Sequence, residues 1–293
     1  MPTTTITTTT TSSAGTTTET VTQTTAAPEE GVPPNGNTRQ MPPPVTDLTA
    51  VCDETLSAVI GALPAGMCDL KDINASRANI DALFSAMPKP DMPADVEVSE
   101  EMVPGHLPSD PKVRVKVYRP AGLSAGSPAI YWIHGGGMVL MDADTDDFAS
   151  AMRAKSHGCV VVSVDYRLAP ESPAPGLIND CYAGLVWTAA NAASLGIDAA
   201  RIMIGGASAG GGLAAGTALK ARDMKGPQLT AQLLVYPMLD HRNVTPSSYA
   251  IQDTRVWNRL SNQQAWEMYL GGQEPDIYAA PSTATDLSGL PPA

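Results

Sequence analysis

The chain has 293 residues, 43% of them hydrophobic, enough for one large core or two modest ones. Acidic residues outnumber basic ones by 30 to 18, a formal charge of -12. That balance argues against nucleic acid or an anionic membrane surface as partner, because both select clustered Lys and Arg.

Residues 1–45 differ from everything after them. Fifteen of the first 25 residues are threonine, and Pro and Gly dominate 28–44. Such a segment buries too little apolar surface to offset its ordering entropy, so a disordered tail is predicted. It has no Lys or Arg before Arg39 and no apolar core, unlike an ordinary signal peptide or an Arg-rich transit peptide. A cytoplasmic protein is therefore expected; a secreted, O-glycosylated stalk is the competing reading. The four cysteines lack C-x-x-C spacing and neighbouring histidines, which speaks against a metal site and for a reducing compartment. No apolar run approaches the roughly 20 residues of a membrane helix.

From 46 to 93 apolar positions recur three and four apart in "LTAVCDETLSAVIGAL" and "ANIDALFSAM", the spacing of helices. Then the period changes. "VRVKVY" (113–118) alternates like a half-buried strand. "AIYWIH" (129–134), "CVVVSVDY" (159–166), "RIMIGG" (201–206) and "AQLLVYP" (231–237) are nearly continuous apolar runs, as strands covered on both faces require. Helical stretches lie between them at about 143–156, 176–194 and 208–222. This alternation predicts an α/β fold over 94–293, with a mostly parallel sheet and helices on both faces. Ligands bind such sheets at the carboxyl ends of the strands, which points to 134–140, 166–172, 206–210 and 237–242.

Two glycine-rich loops fall on that edge. "GGASAG" fits G-x-S-x-G with Gly206, Ser208 and Gly210 in place: a serine on a sharp strand-to-helix turn, with glycines that let neighbouring backbone pass close by. Alone this motif is weak, since the chain has 25 glycines. Three glycines behind one of four histidines are far rarer, with about 0.002 chance occurrences expected of the HGGG-type motif, so the pair in this order is a strong signal. The chemistry of the two loops is complementary. A serine attacking a carbonyl creates an oxyanion, and preorganised backbone N–H donors stabilise it. The donors expected are the amides of Gly136, Gly137 and Ala209; His134 and Gly135 support the loop. His134 is not expected to be the base, because the elbow's triad runs Ser, then Asp or Glu, then His along the chain.

These residues resemble the hormone-sensitive-lipase-like branch of the α/β-hydrolases. "HGGGM" (134–138), "DYRLAPE" (165–171), "GASAGG" (206–211) and "YPMLD" (236–240) look like its successive motifs, and "VRVKVYRPAG", "AWEMYLGG" and "DLSGLPPA" share its texture. The resemblance covers 95–293, more loosely from 46. It implies an α/β-hydrolase fold, with 46–93 as a helical cap segment. It also implies a carboxylesterase or lipase that cleaves short- to medium-chain acyl esters through an acyl-enzyme, with no cofactor and with room for a homodimer. Ser208 would be the catalytic nucleophile, and Asp165, Arg167 and Glu171 would hold the "DYRLAPE" loop.

Two departures stand out. Ala207 occupies a place where the family more often carries Asp or Thr. In the family, "DLSGLPPA" also leads into further strands bearing the triad Asp and His, whereas here the only histidine after Ser208 is His241. The chain is therefore expected to be a fragment lacking its last strands, roughly 60–80 residues at ~30 or more per βαβ unit, and to be inactive as it stands. A non-catalytic small-molecule binder is the alternative, and an Asp240–His241 dyad a third reading.

Overall fold

The structure, a computed structural model, describes residues 4–12, 15–23 and 42–293. The chain divides into two units, one of residues up to 44 together with 244–251, the other of 45–243 with 252–293.

In the first unit β1 (Thr4–Ser12) and β2 (Gly15–Gln23) pair antiparallel, from Thr4 opposite Gln23 to Ser12 opposite Gly15. This departs from the disorder expected of 1–45. Threonine is β-branched and favours extended backbone, so the composition that denies the segment a core still suits a two-stranded ribbon. A lone hairpin is at best marginally stable in water. Residues 1–3, 13–14 and 24–41, which share that expectation, lie outside the described residues.

The second unit opens with α1 (Glu54–Ala62) and α2 (Ile73–Ala86), where the 46–93 periodicity places helices. Asp53 caps the first through the amides of Thr55 and Leu56, and Asp72 caps the second through Ala75. A six-stranded sheet follows: β3 (Val96–Val103), β4 (Val113–Pro120), β5 (Ser127–Ile133), β6 (Val160–Asp165), β7 (Ile197–Ala207) and β8 (Gln232–Val235), in spatial order 3-4-6-5-7-8. The expected mostly parallel core is there: β5 runs parallel to β6 and β7, and β7 to β8. Antiparallel β3 and β4 extend it on one side.

Helices α3 (Asp147–His157), α4 (Gly176–Ala190), α5 (Ala192–Leu195) and α6 (Ala209–Asp223) connect the strands. Two later helices, α7 (Pro246–Ala250) in the first unit and α8 (Arg259–Leu270) in the second, follow β8.

Successive side chains of a strand point to opposite faces, and β5 shows the result. Tyr131 and Ile133 join Val162, Ile204, Leu177 and Leu213 in the larger core, while Ile130 and Trp132 join Val161, Ala151 and Ala154 in a smaller one. Arg153 covers Trp132, its guanidinium 3.8 Å from the ring centre.

A charge cluster ties the antiparallel strands to α3. Lys116 of β4 is buried and meets Asp144 at 2.5 Å and Asp147 at 2.6 Å, while Arg114 reaches Asp144 at 2.9 Å and Asp165 at 3.0 Å. Burial works against the Lys116 charge, but the two carboxylates outweigh it and hold the ammonium above its usual range. The hydrogen bond from Arg114 is the main reason the Asp144 carboxyl falls from 3.8 to about 2. A carboxyl depressed by folding contributes stability above its unfolded pKa and loses it as pH falls through the folded value. The denaturation midpoint of the parent should therefore drop between pH 4 and 2, where Asp144→Asn is flatter; parallel curves would remove Asp144 from the acid response.

Candidate active site

Register places the two glycine-rich loops side by side. Ile133, the last residue of β5, pairs with Gly206 near the end of β7, and β5 is flanked by β6 and β7 where the strand order reverses. Such a switch point opens a crevice outside the carboxyl ends of the strands.

Ser208 sits between β7 and α6 with φ 57° and ψ -119°, a conformation that costs a non-glycine residue on the order of 1–3 kcal/mol. The main chain around it holds that strain. Its N–H donates to the Val235 carbonyl at 2.9 Å, and its own carbonyl accepts from Met238 at 2.9 Å and Gly212 at 3.1 Å. Gly210 allows the close approach behind it: a Cβ there would run into the carbonyl oxygens of Ile133 and His134. Ala209 opens α6, so its amide is one of the N-terminal donors that an α-helix leaves without an internal acceptor. The positive end of the helix dipole lies at the same point.

The loop after β5 wraps this turn. A Cβ on Gly135 would lie 3.6 Å from the Ser208 Cβ, so the two loops touch. Gly136 has φ 111°, and its carbonyl accepts from Val139 at 3.1 Å and Leu140 at 2.8 Å. Among the described residues no acceptor takes the amides of Gly136 and Gly137. Trp257 packs over Gly137 and donates its indole N–H to Asn262.

His134 is buried, its ring stacked on Tyr166 with centroids 4.2 Å apart. Its Nδ1 lies 2.8 Å from the Gly135 carbonyl oxygen, which can only accept, so Nδ1 carries the proton. Burial lowers its pKa despite that hydrogen bond, and the ring stays neutral. The Tyr166 hydroxyl donates to the His134 carbonyl at 2.9 Å. His134 is thus held within the loop by the Gly135 carbonyl and the Tyr166 ring.

Carboxylates and guanidinium groups secure the neighbouring "DYRLAPE" loop. Asp165 accepts from Arg114 and from the Ala143 amide, Arg167 binds Asp180 at 2.7 Å, and Glu171 binds Arg77 at 2.7 Å.

The remaining histidines lie in other settings. His106 meets Tyr182 edge-on at 5.0 Å, His157 ends α3, and His241 packs against Trp266 at 6.2 Å. Asp240 is turned to Arg242, accepting its backbone N–H and its guanidinium, so the two neighbours form no Asp240–His241 dyad. Among the described residues no histidine hydrogen-bonds Ser208.

The profile of a family described as alpha/beta hydrolase fold matches residues 130–293. The chain belongs to this family. Within it, the resemblance to the hormone-sensitive-lipase-like carboxylesterases is borne out. The chain is 35% identical over 248 residues to carboxylesterase NlhH of Mycobacterium tuberculosis, covering 82% of this chain and 76% of that protein. Among solved structures, a bacterial heroin esterase superposes with a TM-score of 0.79 at 41% identity, over 83% of this chain and 78% of that one. A hyperthermophilic esterase from the archaeon Pyrobaculum calidifontis gives 0.71 at 31%, over 82% and 77%.

Several features of this hydrolase-fold site carry no sequence motif of their own. Trp257, the Tyr166 stack and the Arg77 contacts join residues dozens of positions apart, and only the folded chain brings them together. All four cysteines are unbridged. Among the described residues no helix is long and apolar enough to cross a membrane.

Proposed function

We propose that the protein is a serine carboxylic ester hydrolase acting on short- to medium-chain acyl esters. The observation that carries this reading is Ser208 held at positive φ at the start of α6, with the amides of Gly136 and Gly137 unclaimed in the loop it touches.

In this reading the Ser208 hydroxyl attacks the ester carbonyl. The amides of Gly136, Gly137 and Ala209 receive the oxygen as it gains charge. The tetrahedral intermediate collapses to an acyl-Ser208 and releases the alcohol; water then repeats the attack and frees the acid. The substrate is a small-molecule ester and the chemistry calls for no cofactor. The unbridged cysteines support a reducing, cytoplasmic setting. Labelling with an organophosphate tests the assignment: the adduct should map to Ser208, and an adduct on another serine would overturn it.

The hydroxyl is a weak nucleophile until a base takes its proton, and among the described residues no histidine hydrogen-bonds Ser208. This chain should therefore hydrolyse p-nitrophenyl butyrate poorly. Oxyanion donors and binding by themselves leave roughly 1000- to 10,000-fold acceleration over water in triad-less serine proteases. Turnover well above that residual level, abolished by His241→Ala, would make His241 the base. The lack of a histidine bonded to Ser208 favours a second reading, a non-catalytic small-molecule binder; complete absence of ester turnover would select it.

A further inference from the structure

Arg77 sits in the middle of α2 and bonds to nothing in its own helix. Its Nε donates to the Val139 carbonyl at 2.9 Å, and Nη2 to the Ala169 carbonyl at 2.9 Å. The same guanidinium forks onto Glu171, Nη1 to one oxygen at 2.7 Å and Nη2 to the other at 2.9 Å. Four bonds thus run from the helical cap segment into two loops of the hydrolase core.

The two carbonyls have distinct positions relative to the site. Val139 belongs to the turn that the Gly136 carbonyl closes, and Met138 and Met141 in that turn are non-glycine residues at φ 70° and 66°. Ala169 belongs to the "DYRLAPE" loop and donates its amide to the Met138 carbonyl at 3.0 Å. Arg77 therefore closes a ring: turn 136–141, loop 165–171 and α2 are joined pairwise by main-chain and guanidinium bonds. A turn with four residues at positive φ, two of them non-glycine, does not hold itself, since such non-glycine conformations persist only when the surroundings over-determine them.

The Arg77–Glu171 pair alone adds little stability, because the Glu171 side chain is 59% exposed and solvent screens it. The geometry matters more. A planar guanidinium can serve two carbonyls and a carboxylate at once, which an ammonium cannot match.

We propose that Arg77 is a positioning residue for the oxyanion loop: without touching substrate, it fixes turn 136–141 so that the Gly136 and Gly137 amides converge on one point. This rests on the ester-hydrolase reading. Displacement of catalytic groups by about 1 Å can cost on the order of 100-fold in rate, so loosening the clamp should show in kcat.

The experiment compares Arg77→Met, Arg77→Lys and Glu171→Gln in the full chain, by p-nitrophenyl butyrate kinetics and by amide exchange over 136–141. Arg77→Met should lower kcat by about 10- to 100-fold with KM little changed, and should speed exchange across the turn. Arg77→Lys should recover part of the rate by serving one carbonyl, and Glu171→Gln should lose less than Arg77→Met. An unchanged kcat, or a lower melting temperature with full kcat per folded molecule, overturns the proposal. Should the parent show no ester turnover, the hydrolase reading fails separately, and unchanged exchange at 136–141 in Arg77→Met would refute the clamp.

Discussion

Ser208→Ala should remove the p-nitrophenyl butyrate turnover that depends on acylation, a loss that reaches about five to six orders of magnitude in kcat where a serine hydrolase has its full triad. KM should change little, because the hydroxyl contributes to bond formation far more than to ground-state binding. Folding should survive. Ser208 is held by its own N–H and carbonyl, bonded to Val235, Met238 and Gly212, none of which involves the side chain. Alanine at φ 57° inherits the strain that serine already bears. The measurement is steady-state turnover of the full chain, with circular dichroism as the control for fold. Unchanged kcat in a folded Ser208→Ala would move the chemistry to another residue.

Gly136→Val should be nearly as damaging by a different route. At φ 111° a side chain is strained on any account, and its Cβ would run into the Leu140 carbonyl oxygen. The turn must open to admit it, and the amides of Gly136 and Gly137 move with the turn. Loss of one oxyanion donor costs about 100- to 1000-fold in kcat. If KM rose while kcat stayed constant, the loop would be a binding element rather than a site of charge stabilisation.

Much of this arrangement was legible in the sequence because local rules and the overall fold agree. The apolar runs at 129–134, 159–166 and 201–206 became β5 to β7, since strands covered on both faces leave no polar alternation, whereas 231–237 became β8, which is only partly buried at the sheet margin. The glycines at 135–137 and 206–212 marked both loops because close backbone approach admits no side chain.

What stayed hidden had physical reasons. β3 reads "VEVSEEMV", and its three glutamates disguise a strand whose place at the sheet edge leaves it exposed to water. Such charge is common on edge strands, where it discourages further pairing. Helix α8 begins behind the Asn258 cap within a polar stretch whose buried face is only Ser261, Ala265, Trp266 and Tyr269. The partners of Arg77 lie 62 to 94 positions away, where no periodicity reaches. The threonine tail misled differently: poverty of apolar groups rules out a core, yet leaves a ribbon of paired backbone open.

The two main-chain bonds that strap Ser208 to the β8 exit tie the proposed nucleophile to the sheet margin. β8 has four residues, none fully buried, and among the described residues it is the last strand on its side of the sheet, with Gln232 donating its N–H onward to the Pro292 carbonyl. Exposed margins open locally at a fraction of the free energy needed to unfold the whole domain. Each such opening would release the Val235 carbonyl, leaving the elbow to relax while the cores around Ile133 and Trp132 stay intact. The geometry of this turn is then only as durable as the weakest rung of the ladder, whatever the depth of the core.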